Sequence, residues 1–330
     1  MKNKSSVSPV AVIICTRNRH HEISGLLEVL KSLGTKPEIV MVVDSSESPT
    51  SELIQARVRE IAGLNVEYVR ALYGAPHQKN VGIEKLLEYE KSTGHSFEVV
   101  SFLDDDIIPG PDYFKNIVSL FKENPEIFCI GGFDSGLPTL SFHRIRKFLG
   151  LTSDRIFVIL PSGLTVAGKP VEPIVYCDWV PGGMQNFRRH VFDSHRFDGT
   201  VRIHGDEVEF QLRMEKSDFG RIAISSLLPV THLAATSGKT SERSSAFYLD
   251  GFRWKLAETY PERFSRFHVL LATFVLIVAE GAVSLGARSN VRFARLLGHL
   301  DFLRALLAGI PLEEKVSHPG SGPRSQAGDL

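Results

Sequence analysis

The segment FEVVSFLDDD, residues 97–106, joins an apolar run directly to three consecutive aspartates. The run Phe97–Leu103 has the length and the valine and phenylalanine content of a strand buried on both faces. Asp104, Asp105 and Asp106 follow it at once and lead into the turn IIPG. A buried strand that ends in acidic groups is typical of the ligand-binding edge of an α/β sheet. The segment therefore indicates both the fold class and the position of a site.

Three further β-type runs precede this segment, and helical patterns separate them. VAVIIC (10–15) and IVMVV (39–43) are continuous apolar runs, and a weaker run lies at 66–69. Between the first two runs, apolar residues at 23, 26, 27, 30 and 33 recur at helical spacing. This alternation predicts an α/β fold with a mostly parallel, Rossmann-like sheet flanked by helices.

Polar side chains stand at the end of each strong strand. Thr16 and Arg17 follow the first strand, Asp44 follows the second, and the three aspartates follow the fourth. Ligands of such sheets bind at the carboxyl ends of the strands, so we expect these groups to share one pocket.

Composition narrows the class of partner. Lysine plus arginine equals aspartate plus glutamate, 38 against 38, so charge gives no case for binding nucleic acid. The three cysteines, Cys15, Cys129 and Cys177, are far apart, which argues against a disulfide framework and fits a reducing compartment. The polar segment 1–9 and the short run after it do not resemble a secretion signal. We expect a cytoplasmic protein.

Three adjacent carboxylates repel one another, and a divalent cation offsets that repulsion. Mg²⁺ and Mn²⁺ prefer carboxylate oxygens and take only one or two of them at phosphate sites. On an extended segment Asp104 and Asp106 point the same way, whereas Asp105 points elsewhere. A solvated acidic loop tip is the alternative interpretation of the same residues.

An ordered set of segments resembles the family 2 glycosyltransferases, which have the GT-A fold. The set comprises VIICTRNR (12–19), VVDSS (42–46), QKNVG (78–82), FLDDD (102–106), GGMQNFRR (182–189), GDEVEFQLR (205–213) and a late histidine, His232. The resemblance spans about residues 10 to 240. It implies transfer of a sugar, with inversion and with Mg²⁺ or Mn²⁺, from a nucleoside-diphosphate sugar to a glycan or lipid-linked acceptor. The stretch FYLDGFRWK (247–255) is similar to rhamnosyltransferase-like bacterial members that build cell-envelope polysaccharides.

The resemblance assigns roles to individual residues. A metal ion is held by Asp106, with Asp104 and His232 beside it. The resemblance also implies a set of residues that contact the nucleotide sugar, and Asp104 belongs to this set as well. The set is Thr16, Arg17, Asp44, Lys79, Asn80, Asp104, Asp105, Trp179 and Gly183. Each also has a plain structural interpretation: turn former or helix cap for Asp44 and Asn80, core ring for Trp179, and ordinary strand end for His232.

An inverting transferase needs a general base that takes the proton of the acceptor hydroxyl. The resemblance puts Glu207 on the family's base aspartate and Asp206 on the glutamate before it. Because the order of the two acids is exchanged here, Asp206 stays a rival base. A charged helix start is the alternative, since acids favour the N-terminal end of a helix.

The C-terminal part is predicted to be helical. We expect a GT-A catalytic domain at 1–245, a helical region at 246–312 and a disordered tail at 313–330. The run 269–287 contains one charge, Glu280, and arginines flank it. Three interpretations compete: core helices, interfacial helices that contact the inner face of a membrane through 266–310, and a membrane span.

Two rival functions remain from the sequence. A nucleotidyltransferase is expected to carry a glycine-rich loop after the first strand, but residues 15–21 read CTRNRHH. A non-catalytic nucleotide-sugar-binding protein on the same fold is the second rival, and the Asp206-Glu207 order leaves it open.

Overall fold

A computed structural model describes residues 6–137, 147, 150–201, 205–233, 240–310 and 312. The chain divides into two compact units, which meet in sequence at residues 239 and 240. This division lies six residues before the boundary that we expected from sequence. The tail 313–330 and residues 234–239 of the polar loop after His232 lie outside the described residues.

The first unit is built on a sheet that has nine strands among the described residues. These strands are β1 (Ser6–Thr16), β2 (Thr35–Asp44), β3 (Val66–Arg70), β4 (Val99–Asp104), β5 (Ile107–Pro109), β6 (Ile127–Asp134), β9 (Val175–Tyr176), β10 (Met184–Arg188) and β11 (Arg221–His232). The two short strands β7 (Val158–Ile159) and β8 (Thr165–Val166) form a separate antiparallel pair. The helices of this unit are α1 (His20–Ser32), α2 (Thr50–Glu60), α3 (Ala75–Thr93), α4 (Tyr113–Glu123) and α5 (Asp206–Lys216).

The sheet order is β3-β2-β1-β4-β10-β6-β11-β5, with β9 beside β11. The first four strands pair in parallel, and β10 then runs antiparallel between β4 and β6. The predicted mostly parallel sheet flanked by helices is confirmed.

The central strands are apolar because both of their faces are covered. The runs 10–14 in β1 and 39–43 in β2 have no exposed surface. Helix α1 turns Ile23, Leu26, Leu27 and Leu30 toward this core. Burial of this kind contributes about 25 cal/mol for each Å² of apolar surface removed from water.

Glycine 82 brings α3 close to the sheet. A Cβ at this position would lie 2.6 Å from Cγ2 of Ile13, so no larger residue fits without a shift. On the same helix, Gln78 donates to the carbonyl oxygens of Thr16 and Val43, the latter at 2.9 Å. The motif QKNVG thus positions α3 against the ends of β1 and β2.

Two short strand pairings lie between β6 and β10 in sequence. Val158–Ile159 of β7 pairs with β8, and Val175–Tyr176 of β9 pairs with β11. Asp178 connects the two stretches, because its carboxylate accepts from the backbone N–H of Ile159 and its own N–H donates to the carbonyl oxygen of Phe157.

The second unit consists of three helices in the described residues: α6 (Glu242–Thr259), α7 (Arg266–Ala287) and α8 (Asn290–Leu307). Its interior contains a charged network. Arg253 donates to Asp250 at 2.6 Å and to the carbonyl oxygen of Val269 at 3.2 Å, and Nδ1 of His299 lies 2.7 Å from the other oxygen of Asp250. Asp250 and Arg253 are fully buried, and burial lowers the pKa of Arg253. The network joins all three helices.

Helix α7 is the one helix, in the part of the chain that the structure describes, whose length and composition would suit a membrane span. Within the most apolar 18-residue stretch of this helix, only 22% is buried. The length criterion alone does not separate a span from other roles, because apolar helices of soluble proteins meet it as well.

We expect Asp250→Ala to lower the free energy of unfolding of the second unit by about 3–5 kcal/mol, because it leaves a buried guanidinium without its partner. Asp301→Ala is the matched control: Asp301 pairs with Arg243 at the surface, where such pairs contribute about 0–1 kcal/mol. Urea unfolding of the full chain, followed by circular dichroism, measures both. Equal losses for the two variants would contradict a stabilising role for the buried network.

Candidate active site

Strand register places the polar strand ends side by side. Cys15 lies opposite Asp104 in the β1–β4 pair, Thr16 lies opposite Asp44 in the β1–β2 pair, and Asp44 lies opposite Arg70 in the β2–β3 pair. Beyond β4, the backbone N–H of Asp104 donates to the carbonyl oxygen of Gly183 at 3.1 Å. One edge of the sheet therefore carries the groups that the sequence placed at separate strand ends.

The three aspartates separate onto three different partners. Asp105 turns inward, where it accepts from Oγ1 of Thr16 and from Arg19, both at 2.7 Å. Burial raises the pKa of Asp105 to about 6, although both hydrogen bonds favour the carboxylate. Both of its oxygens are thus engaged inside the protein.

Asp106 is buried beside a histidine. Its Oδ1 lies 3.2 Å from Nε2 of His232, and its Oδ2 lies 3.6 Å from Arg19. The pairing of β5 with β11, in which His232 is opposite Ile107, brings the histidine to this carboxylate. His232 itself is partly exposed, so the pair faces solvent on one side.

Asp104 points into the open from the end of β4, over the backbone of Gly183. A Cβ on residue 183 would lie 2.1 Å from Oδ2 of Asp104, so a side chain there would displace the carboxylate. The glycine is needed for this close approach.

These residues fit a divalent cation of the Mg²⁺ or Mn²⁺ type. Among the described residues, no group of three or more His, Cys, Asp or Glu side chains is placed to hold a metal ion by itself. Mg²⁺ at a phosphate site needs only one or two protein carboxylates, however, since phosphate and water complete its shell. The carboxylate and imidazole donors of Asp106 and His232, with Asp104 nearby, meet that requirement.

A buried ion pair lies next to this edge. Nζ of Lys79, on α3, is 2.6 Å from Oδ2 of Asp206, the first residue of α5, and both side chains are buried. Burial lowers the pKa of Lys79, but the attraction of Asp206 and Glu207 outweighs it, and the pKa stands above its ordinary value. Lys79 is therefore a fixed cation.

Glu207 lies beside this pair and is half-buried. Its Oε2 is 3.6 Å from the point where a Cβ on Gly182 would be, so the carboxyl lies against the Gly182-Gly183 turn. Burial, and then the neighbouring Asp206 carboxylate, raise the pKa of Glu207 to about 7, whereas Lys79 acts in the opposite direction. A carboxyl with this pKa exchanges a proton near neutral pH.

The predicted nucleotide residues are held by protein partners. Asp44 accepts from the backbone N–H of Ser46 at 2.7 Å, from the hydroxyl of Tyr68 at 2.8 Å and from Arg70 at 3.1 Å. Arg17 stacks over the exposed ring of Tyr73, with 4.1 Å between guanidinium carbon and ring centroid.

Two other candidate residues, Asn80 and Trp179, make contacts within the protein. The side-chain amide of Asn80 donates to the carbonyl oxygen of Phe197 and accepts from its N–H, both at 2.9 Å. Trp179 is 8% exposed and packs near Phe157, and its indole nitrogen has no hydrogen-bond partner within the described residues. Glu209 forms an ion pair with Arg213 at 2.8 Å, consistent with a local structural role.

Sequence reasoning did not single out Arg19, Tyr68 or Arg70. Arg19 stands inside the quoted motif VIICTRNR and binds two of the three aspartates. Arg70 ends the weak third strand, so the rule that strand ends carry polar groups applies to it, whereas Tyr68 lies in the middle of that strand and carried no such signal. Strand-end position was the available signal.

Comparison with known proteins agrees with this geometry. Residues 11–168, just under half of the chain, match the family model of glycosyl transferase family 2. A curated relative, a glucosyl-dolichyl phosphate glucuronosyltransferase of Haloferax volcanii, is 27% identical over 126 residues, which are 37% of each chain. The match thus spans little more than a third of that relative. The match over this segment agrees with the predicted family, and the rhamnosyltransferase-like subtype stays a prediction.

Two solved structures show the fold. The mannosyltransferase PcManGT from Pyrobaculum calidifontis, in complex with GDP-Man and Mn²⁺, has a TM-score of 0.52 at 15% identity and covers 93% of this chain and 90% of its own. GalNAc-T7 with UDP, GalNAc and Mn²⁺ has a TM-score of 0.54 at 13% identity. The alignment covers 94% of this chain and 59% of the GalNAc-T7 chain. The predicted GT-A fold is confirmed.

We expect Gly183→Ala to weaken binding of UDP or GDP in the presence of Mn²⁺ roughly tenfold or more, because Asp104 loses its position and a charged hydrogen bond is worth about 1.5–3 kcal/mol. Gly199→Ala is the control, since a Cβ there meets nothing within 4 Å. Isothermal titration calorimetry with each nucleotide gives the affinities. If Gly183→Ala and Gly199→Ala bind equally well, Asp104 takes no part in the complex.

Proposed function

We propose that this chain is an inverting glycosyltransferase that moves a hexose or deoxyhexose from a nucleoside-diphosphate sugar to a hydroxyl of a glycan or lipid-linked acceptor. One observation carries the proposal: the half-buried carboxyl of Glu207 lies beside the same strand-end edge that presents Asp104, Asp106 and His232. The family match supports it, as do the complex of one structural neighbour with GDP-Man and Mn²⁺ and the complex of the other with UDP, GalNAc and Mn²⁺.

Asp106 and His232 would hold Mg²⁺ or Mn²⁺, with Asp104 directed to the ribose or the donor sugar. When bound, such an ion offsets the charge of the diphosphate that leaves. Lys79 supports the same task, because a buried cation close to the site favours negative charge nearby.

At the nucleotide end, Arg17 and Asp44 are the proposed contacts. The guanidinium of Arg17 is preorganised on Tyr73 and carries a permanent charge suited to phosphate oxygens. Asp44 is oriented by Tyr68 and Arg70, so that its carboxylate is fixed before a nucleotide arrives. The positions of Thr16 and Asp105 support an indirect role, in which they fix Arg19 and the turn that carries Asp104 and Asp106.

Between the two rival bases, the contacts favour Glu207. Asp206 holds the ammonium of Lys79 at 2.6 Å, so its carboxylate is already engaged in a buried ion pair. Burial raises the pKa of Glu207 to about 7, and its carboxyl lies at the Gly182-Gly183 turn, where an acceptor can approach. It would take the proton of the acceptor hydroxyl as that oxygen forms a bond to the anomeric carbon and the nucleoside diphosphate leaves from the opposite face. This one-step displacement inverts the anomeric centre.

We expect Glu207→Gln to reduce kcat about 10²–10⁴-fold with little change in donor affinity, because only the proton acceptor is lost. In the unmodified protein, kcat/KM should rise about tenfold per pH unit below the pKa of about 7 and level off above it, since the base acts in its deprotonated form. Transfer to an acceptor found by screening, followed over pH 5 to 9, measures both.

A pH profile that is flat across this range, or a Glu207→Gln variant with full activity, would exclude Glu207 as the base. Asp206→Asn provides the comparison. It should lower activity and also destabilise the fold, because it leaves the buried Lys79 without its partner.

We expect Asp106→Asn to abolish the stimulation of donor hydrolysis by Mg²⁺ or Mn²⁺, because an amide binds a divalent cation far more weakly than a carboxylate. Asp134→Asn is the control, since Asp134 is a half-buried strand-end acid of β6. Release of nucleoside diphosphate from a panel of nucleotide sugars is the measurement. If no donor in the panel yields nucleoside diphosphate with any metal, the protein is a non-catalytic binder.

A further inference from the structure

Helix α7 exposes a continuous apolar stripe. The stripe consists of residues spaced by three or four along the helix: Phe267, Leu271, Phe274, Val278, Ala282 and Leu285. Phe267 is 68% exposed, Phe274 61% and Leu285 85%. Residues at this spacing lie on one helix face. Six apolar residues in line are a surface and not scattered exposed side chains.

The opposite face of α7 carries the polar groups of the helix and packs within the second unit. Thr273 and Glu280 are buried there. Glu280 forms an ion pair with Arg292 of α8 at 2.9 Å, and Arg253 of α6 donates to the carbonyl oxygen of Val269. These contacts fix which face of α7 is turned outward.

The surroundings of the stripe are basic. Residues 263–310 contain six arginines against two acids, Glu280 and Asp301, whereas the whole chain is neutral. Arg263 and Arg266 lie at the start of α7, where Arg266 also forms an ion pair with Glu258 at 2.7 Å, and Arg288 follows the end of the helix. Arginines at both ends of an apolar helix face suit an anionic surface with an apolar interior.

We propose that this stripe docks the protein on an anionic lipid bilayer, with α7 lying in the plane of the interface. The phenylalanine and aliphatic side chains enter the boundary between headgroups and acyl chains, and the flanking arginines meet lipid phosphates. This surface is separate from the transferase chemistry and does not depend on it.

The contacts of α7 argue against a membrane span. A span would carry α6 and α8 with it, because α7 is bonded to both. Helix α8 alone bears Arg292, Arg295, Asp301 and Arg304, and charges of this kind cost several kcal/mol each in the hydrocarbon core. A helix that lies in the interface leaves them in water.

Charge also argues against a second copy of the chain as the partner. Two α7 stripes that pair in parallel place Arg266 against Arg266, and two that pair antiparallel place Arg266 against Arg288. Either arrangement brings like charges together beside the apolar contact. Anionic lipid is the complementary partner.

Co-sedimentation of the full chain with vesicles tests the proposal. We expect binding to vesicles of phosphatidylcholine with 30% phosphatidylglycerol, weaker binding to phosphatidylcholine alone, and a loss of affinity in 0.5 M NaCl. The double variant Phe267→Glu/Phe274→Glu should bind roughly 100-fold more weakly, because two exposed aromatic side chains no longer enter the lipid. Arg288→Ala should bind about fivefold more weakly.

Leu53→Glu/Val171→Glu is the matched control, since both residues are exposed apolar side chains of the first unit. It should bind vesicles as the unmodified protein does. Circular dichroism and donor hydrolysis should be unchanged in both double variants, which separates a docking defect from a folding or catalytic one.

Three results would overturn the proposal. In the first, the protein does not bind vesicles and forms a dimer that the Phe267→Glu/Phe274→Glu substitutions dissociate. In the second, both double variants still bind vesicles. In the third, detergent releases the protein from cell membranes but high salt and carbonate do not. The first would assign the stripe to a second copy, and the last to a span.

Discussion

The parallel register of β1, β2 and β4 is the constraint on which the site depends. It holds Cys15 opposite Asp104 and Thr16 opposite Asp44, so that loops distant in sequence open at one edge. A shift of the register by one residue would turn Asp104 toward the other face of the sheet. It would also turn the apolar side chains of β4 to the opposite faces. The fully buried valine and isoleucine runs of β1 and β2 prevent such a shift, because every alternate register would leave a poorly packed core. Core packing and site geometry are therefore fixed by the same side chains.

Within this frame, the three aspartates lessen their mutual repulsion by taking different partners, although burial and then the neighbouring Asp106 still raise the pKa of Asp104. Asp105 is taken into the protein by Thr16 and Arg19, Asp106 meets His232, and Asp104 stays at the surface over Gly183. Like charges in adjacent positions would each raise the pKa of the next if all three faced the same way. The separation leaves two carboxylates available to a cation and uses the third to brace the turn that carries them.

The alternation of strands and helices could be predicted from sequence, because runs such as 10–15 and 39–43 are apolar on both faces and admit few other placements. The strand-end location of the site followed from the same pattern. Contacts across long sequence separations could not be predicted in the same way. Lys79 and Asp206 are 127 residues apart, and nothing in their spacing indicates a contact of 2.6 Å. The partners of Asp44 could not be predicted either, because Tyr68 and Arg70 lie on a strand of weak sequence signal.

Helix α7 departs from the usual arrangement of a helix in a soluble bundle. A helix normally buries its apolar face, but α7 buries Thr273 and Glu280 and exposes Phe267 and Phe274. Turning the helix about its axis to cover both aromatic rings would break the ion pair of Glu280 with Arg292, which holds the present rotation. Covering the two rings would gain about 3–6 kcal/mol, which is no less than the cost of about 3–5 kcal/mol for removing one partner of a buried pair. The exposed stripe therefore carries a free-energy cost that contact with an apolar partner would remove.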